Sequence, residues 1–197
     1  LYICYCLLAK CKNVFDDMRD LQLIGINGMI SCQLTRIFFP TALPMQMMAA
    51  ALWNKEADYE SLADKYYLDA FGPDGLQVRA YMKEISRLFN IYMGPSHGKG
   101  AKLGGGMCRD YEALKVLVGE FLPTIDEHAA AGKVWSEDWQ FLRIHSEYVM
   151  ALADIFKMLD NQDYENAAPA IEEMADAMFR NELTAQKVFD PFQARKH

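Results

Sequence analysis

The histidines His97, His128, His145 and His197 are the first residues to weigh as metal ligands or proton carriers. No two of them stand one helical turn apart, and the chain holds neither the Glu-x-x-His pair of di-iron bundles nor a Cys-x-x-Cys pair. No metal and no other cofactor is therefore expected. Glu127-His128 and His145-Ser146-Glu147 read as polar residues on helix surfaces, and Glu172-Glu173 as a solvated face. Asp16-Asp17 fall in the first turn of an expected helix, where negative charge favours the macrodipole, so acid–base catalysis is not needed to explain them. The glycine-rich stretch Gly94–Gly106, with Lys99 and Lys102, has the backbone donors and cations that suit a phosphate. Its spacing departs from Gly-x-x-x-x-Gly-Lys-[Ser/Thr], because Gly98-Lys99 comes one residue too early and Gly100 follows; a loop between helices is expected. Trp53, Trp135 and Trp139 have faces that can stack on sugar rings, although rings at helical positions more often build core. No residue announces catalysis by itself.

The elements that would carry these residues begin with Leu1–Leu8, an uninterrupted apolar and aromatic run that reads as a strand buried on both faces. Asn13 opens a helical pattern with Val14, Met18 and Leu21 on one side, stopped by Gly25, and Ile26–Ser31 follows as a second strand. One β-α-β unit cannot build a buried parallel sheet, so partner strands are expected upstream of Leu1. Everything beyond reads as helix. Pro44 suits a first turn, with Met45, Met48, Ala49 and Leu52 as the stripe. Asp58 caps the next helix, with Leu62, Tyr66 and Ala70 inward and Gly72-Pro73 as the stop. A helix from Gly75 to Tyr92 buries Val78, Tyr81, Ile85, Leu88, Phe89 and Tyr92. Asp110 opens a helix that Leu122-Pro123 should interrupt, with Thr124–Glu127 as a capping box to restart it. The longest helix starts at Ser136 and turns Trp139, Leu142, Val149, Leu152, Phe156 and Leu159 inward; the last runs from Tyr164 to Lys187 with Pro169 in its first turn or at a break.

Composition bounds the partners. A chain of 197 residues that is 52% hydrophobic can bury a sizeable core. Its net charge of -7, pI near 5.1 and lack of a Lys/Arg cluster argue against nucleic acid. No apolar run is long enough for a membrane span. Five cysteines, unevenly placed, suggest buried thiols rather than a disulfide framework. Leu7–Cys11 comes near a lipoprotein cleavage box, but Lys10 occupies the small-residue position, so a signal peptide is not expected and localisation is left open.

Phe15–Gly28 resembles the helix and following Gly-hydrophobic-x-Gly strand that close the barrel in one bacterial family of glycoside hydrolases of unassigned specificity, distantly similar to α-glucuronidases and β-hexosaminidases. Leu43–Asn54, with its Leu-Trp-Asn ending, and then Asp58, Leu62, Tyr66-Tyr67 and Phe71-Gly72, resemble the segment that comes next in that family. The likeness is good from Leu1 to Phe89 and one of kind only beyond. It implies a mainly α chain: residues 1–40 as the remnant of the end of a (β/α)8 barrel and residues 41–197 as a helical, bundle-like C-terminal domain. It further implies catalytic carboxylates on strands upstream of Leu1, none within the chain, and a parent enzyme acting on carbohydrate that is compatible with secretion or a periplasmic location. Tyr5, Ser31 and Gln33, at strand ends, would line the edge of the substrate cleft. Cys32-Gln33 departs from the polar or acidic residue expected there. The exposed N-terminal strand would favour self-association. A stand-alone helical protein-interaction module and a non-catalytic carbohydrate-binding domain are the alternatives.

Overall fold

The computed structural model describes residues 7–30, 36, 39–89, 108 and 110–192, and among these the chain is helical, with no strand. Helix α1, Leu7–Asp20, tightens into a 3-10 turn at Leu21–Ile24. Gly25 ends it in the left-handed region at φ 81, while the Ile26 N–H reaches back to the Leu21 carbonyl. Two expectations are corrected here. Of the Leu1–Leu8 strand, residues 1–6 lie outside the described residues, and Leu7-Leu8 begin α1 instead. Leu7-Leu8-Ala9-Lys10 are good helix formers, and they lead into Cys11 and Phe15, one turn apart and both buried. Of the Ile26–Ser31 strand, residues 26–30 have no regular structure, and Ser31 is outside the description. An apolar extended run becomes a strand only when a neighbour satisfies its N–H and C=O groups, and none of the described residues does so.

Helix α2, Leu43–Trp53, carries Pro44 in its first turn, as expected. It buries Leu43, Met47 and Ala51, not the stripe of Met45, Met48, Ala49 and Leu52. Its sequence, LPMQMMAAALW, is apolar on nearly every side, so periodicity cannot mark the inner face. Helix α3, Tyr59–Phe71, starts where Asp58 Oδ2 accepts the Ser61 N–H at 2.8 Å. Tyr59, Ala63, Tyr67 and Phe71 are its buried face, with Leu62, Tyr66 and Ala70 half-buried beside it. After a 3-10 turn at Gly72–Asp74 comes α4, Gly75–Leu88, which buries Val78, Tyr81, Met82, Ile85 and Leu88. Phe89 follows, held by an isolated antiparallel bridge to Cys108.

Helix α5, Tyr111–Ala130, is capped by Asp110 and runs unbroken through Pro123, against the expected interruption. Pro123 removes the bond to the Gly119 carbonyl, and because Gly119 is exposed, solvent can serve that carbonyl while the helix continues. Helix α6, Ser136–Asp160, is the longest and is buried on several sides. Helix α7, Tyr164–Arg180, likewise contains Pro169, and the short α8, Glu182–Ala185, follows, so the single helix expected to Lys187 is two. The most extensive packing is α5 on α6, followed by α1 on α2 and α3 on α4, and one continuous core joins Cys11 and Phe15 to Phe189.

Glycine matters most at Gly75. A Cβ there would lie 2.0 Å from the Tyr67 carbonyl oxygen and 2.4 Å from its carbon, both backbone atoms that cannot step aside. Gly75→Ala is expected to destabilise the fold by about 3 kcal/mol or more, read as a lowered urea midpoint, since α3 and α4 must separate.

Candidate functional site

Tyr5, Ser31 and Gln33, the cleft-edge residues implied by resemblance, lie outside the described residues, as do Gly94–Gly106 and Tyr92. The tryptophans separate clearly. Trp139 is wholly buried and its indole N–H donates to the Phe71 carbonyl at 2.9 Å. Trp135 packs its ring where a Cβ of Gly72 would stand, 2.7 Å away. Trp53, the last residue of α2, is 93% exposed. Its neighbour Asn54 accepts the Glu56 N–H at 3.0 Å and turns the chain just beyond the helix. Of the three rings, only Trp53 presents a face to which a sugar could stack.

Of two histidines expected on helix surfaces, His145 is buried and His128 is half-buried. His145 is buried on α6, edge-on to Phe39 with centroids 6.0 Å apart. His128 stacks on Trp139 at 4.3 Å and places Nε2 2.9 Å from Asp74 Oδ2. Asp74 also accepts the Gln77 amide at 2.7 Å. A His–Asp pair is half of a nucleophile-activating relay, but the nearby Ser136 hydroxyl donates to the His128 backbone carbonyl rather than to its ring. The pair joins α5 to the start of α4.

The polar concavity lies elsewhere. Lys12 of α1, Tyr59 and Glu60 of α3, and Arg79, Lys83, Ser86 and Arg87 of α4 surround a cleft of about 300 Å³. The α4 cations recur at every fourth residue, so they form one ridge on the side away from Val78, Met82 and Ile85. Arg79 is held by Asp64 and Glu60. Arg87 binds both oxygens of Glu84, its Nε 2.9 Å from each. Lys12 meets Asp16 at 2.5 Å, and its ammonium lies 5.7 Å from the Tyr59 ring centroid. Burial, and then the neighbouring Cys11, push the Tyr59 hydroxyl up to about 12, so it keeps its proton. The four-residue repeat of cations was open to inspection in the sequence; the approach of Lys12 from α1 was not.

Asp138, in the first turn of α6, is the one carboxyl among the described residues with a large upward shift. Burial, and then Glu137 beside it, raise it from 3.8 to about 6. It acts electrostatically on Tyr66, whose hydroxyl oxygen accepts the Ala42 N–H at 2.7 Å, and it is not one of the residues around the cleft. Cys11 and Cys108 are buried, and burial drives the Cys11 thiol up to about 12. Among the described residues no His, Cys, Asp and Glu side chains group into a possible metal site. No helix there is long and apolar enough to cross a membrane.

Compared with protein-family models, curated proteins and solved structures, the chain has no match.

Two outcomes follow for single side chains. Trp53→Ala should leave unfolding free energy within about 0.5 kcal/mol of the parent, whereas Trp139→Ala should cost about 3–5 kcal/mol, both measured by urea titration. Asp138 holds its proton more tightly when folded than when unfolded. The fold therefore loses stability as pH rises from 3.8 through about 6. Asp138→Asn should be stabilising at pH 8 and without effect at pH 3, read as Tm against pH; a pH-independent difference would refute the assignment.

Proposed function

We propose that this chain is the C-terminal portion of a glycoside hydrolase acting on carbohydrate, with its catalytic carboxylates upstream of Leu1. The observation that carries this reading is the apolar run directly after α1. Leu23 is 82% exposed, Ile24 73% and Ile30 fully, with Ile26 and Met29 also exposed. A helix followed by an uncovered apolar run is what the last helix and strand of a barrel leave when their neighbouring strands are not at hand. Burying such side chains is worth about 1.5–3 kcal/mol each.

In this reading residues 1–40 close a barrel and α2 to α8 buttress it, while Tyr5, Ser31 and Gln33 face the edge of the substrate cleft. The exposed face of Trp53 adds a ring on which a sugar can stack. Cleavage would proceed through an oxocarbenium-like transition state using two carboxyl groups, or one carboxyl and a substrate acetamido group. The chain alone supplies neither catalytic group and is expected to be inactive.

The same apolar run favours a second reading, a helical module that docks a partner protein on it. Sequencing the coding region immediately upstream of Leu1 separates the two. Several hundred further residues of alternating strands and helices, with Asp or Glu at strand ends, are expected, and the full-length protein should then turn over members of a glycoside panel. A start codon directly before Leu1 would reject the hydrolase reading in favour of the docking module. In the chain by itself, Ile24→Asp with Ile30→Asp should reduce concentration-dependent self-association in sedimentation velocity while leaving Tm nearly unchanged, because neither side chain belongs to the core.

A further inference from the structure

Asn27 is followed by Gly28, the one Asn-Gly pair in the chain. Both residues are exposed, in the irregular stretch 26–30 beyond α1. The Ile26 N–H still reaches back to the Leu21 carbonyl, but among the described residues nothing binds the Gly28 N–H or the Asn27 side-chain amide. A Cβ built at Gly28 would meet nothing within 4 Å, so the space around that backbone is open. Every other described asparagine is restrained. Asn13 lies inside α1, where the N–H that follows it belongs to the helical ladder. Asn54 Oδ1 holds the Glu56 N–H at 3.0 Å, Asn166 Nδ2 donates to Asp163, and Asn181 Nδ2 donates to Tyr148. Asn161 precedes Gln162, whose N–H donates to the Leu159 carbonyl at 3.0 Å.

We propose that Asn27 is a site of spontaneous deamidation, which sets a carboxylate in the middle of the exposed apolar run Leu23–Ile30. The Gly28 backbone nitrogen gives its proton to hydroxide and bonds to Asn27 Cγ. The side-chain nitrogen then takes up a proton and leaves as ammonia, closing a succinimide ring. Water adds to either of the two ring carbonyls and breaks that carbon's bond to nitrogen, giving aspartate from one and isoaspartate from the other. One water is consumed, one ammonia is released, and no oxidant or metal takes part. Glycine is what the first step needs, because no Cβ shields the attacking nitrogen and its backbone turns freely toward Cγ. Both products place a charge among Leu23, Ile24, Ile26, Met29 and Ile30, on a surface that gains from excluding water. Isoaspartate also routes the backbone through the side chain, and the added methylene breaks the alternation that any pairing strand would read. The run is thus an apolar surface that the chain's own chemistry retires with time. This inference is independent of the hydrolase reading.

The test is to age the purified chain at mildly alkaline pH, digest it with trypsin and follow the 20–36 peptide, released by cleavage after Arg19 and Arg36, by mass spectrometry against a sample digested at time zero. Aspartate and isoaspartate forms, each one mass unit heavier, are expected to accumulate in that peptide first, while the peptides carrying Asn54, Asn161 and Asn166 keep their amides. Gly28→Ala should slow the conversion roughly fivefold or more and leave Tm unchanged, since its Cβ has room. On an octyl column the aged chain should elute earlier than the fresh one, together with Asn27→Asp. An Asn27 that converts no faster than Asn54 or Asn161, a rate that Gly28→Ala leaves intact, or a converted chain that elutes with the fresh one would overturn the proposal.

Discussion

Helix α3 ends at the carbonyl of Phe71, and the indole N–H of Trp139 docks on it at 2.9 Å. Much of the packing can be traced from that bond. The Phe71 ring meets the indole edge-on at 5.6 Å, His128 stacks on it at 4.3 Å, and Phe121 leans against it at 6.2 Å, so α3, α5 and α6 converge on one side chain. A buried indole N–H without a partner would be costly, which ties the position of α6 to the last residue of α3. The chain must then reverse at once. Gly72 does so with φ 76, under a Trp135 ring that leaves no room for a Cβ, and Gly75 lets α4 lie against the backbone of Tyr67. Asp74, between these glycines, reaches His128 and so returns to the same indole.

A second knot holds the segment between α1 and α2. Phe39 packs at 4.9 Å from Phe189 and 5.9 Å from Tyr148, and Arg36 meets Glu182 at 2.5 Å and Asp190 at 3.2 Å. Arg36 is thus a cation held between two carboxylates, all three largely shielded from solvent. Breaking one member would leave a partly buried charge without its counterion, which is why such a cluster fixes position more than it adds net stability. The helices after residue 40 and the residues just before it are consequently held together by both apolar and ionic contacts. In the proposed hydrolase, this is how a helical domain would keep the end of a barrel in place.

What the sequence made legible was local chemistry. Asp58 and Asp110 cap helices through their own side chains, Gly25 and Gly72 supply positive φ, and Pro44 fits a first turn; each depends on a few adjacent residues. Structure departs from sequence expectation where tertiary context decides. The face of α2 is chosen by its neighbours because its sequence is apolar all round. Pro123 is tolerated because the bond it removes falls on an exposed residue. The sequence places His128 beside the exposed Glu127, and only the arrival of Trp139 from another helix makes it a half-buried stacking partner. The composition of the apolar run at 26–30 suits a strand, yet a strand is defined by the neighbour that bonds to it. The cleft shows the same division: the Arg79, Lys83, Arg87 ridge is written in one helix, and Lys12 joins it only through packing.

Helix α1 links two surfaces of the molecule. Lys12 stands in the cleft, whereas the exposed apolar run begins beyond the C-terminal end of α1, at Leu23 and Ile24. The twelve positions between Lys12 and Ile24 correspond to a separation of about 18 Å along a helix axis. A strand or a partner protein laid against the apolar run would therefore not have to occupy the cleft. The chemistry of the two surfaces differs in the same sense: one gains from excluding water, whereas the other is laced by ion pairs of Lys12 with Asp16, Arg79 with Asp64 and Glu60, and Arg87 with Glu84. Adding salt should weaken the second and, if anything, strengthen the first. Their opposite responses to ionic strength separate an event at one surface from an event at the other, even within a longer protein that contains both.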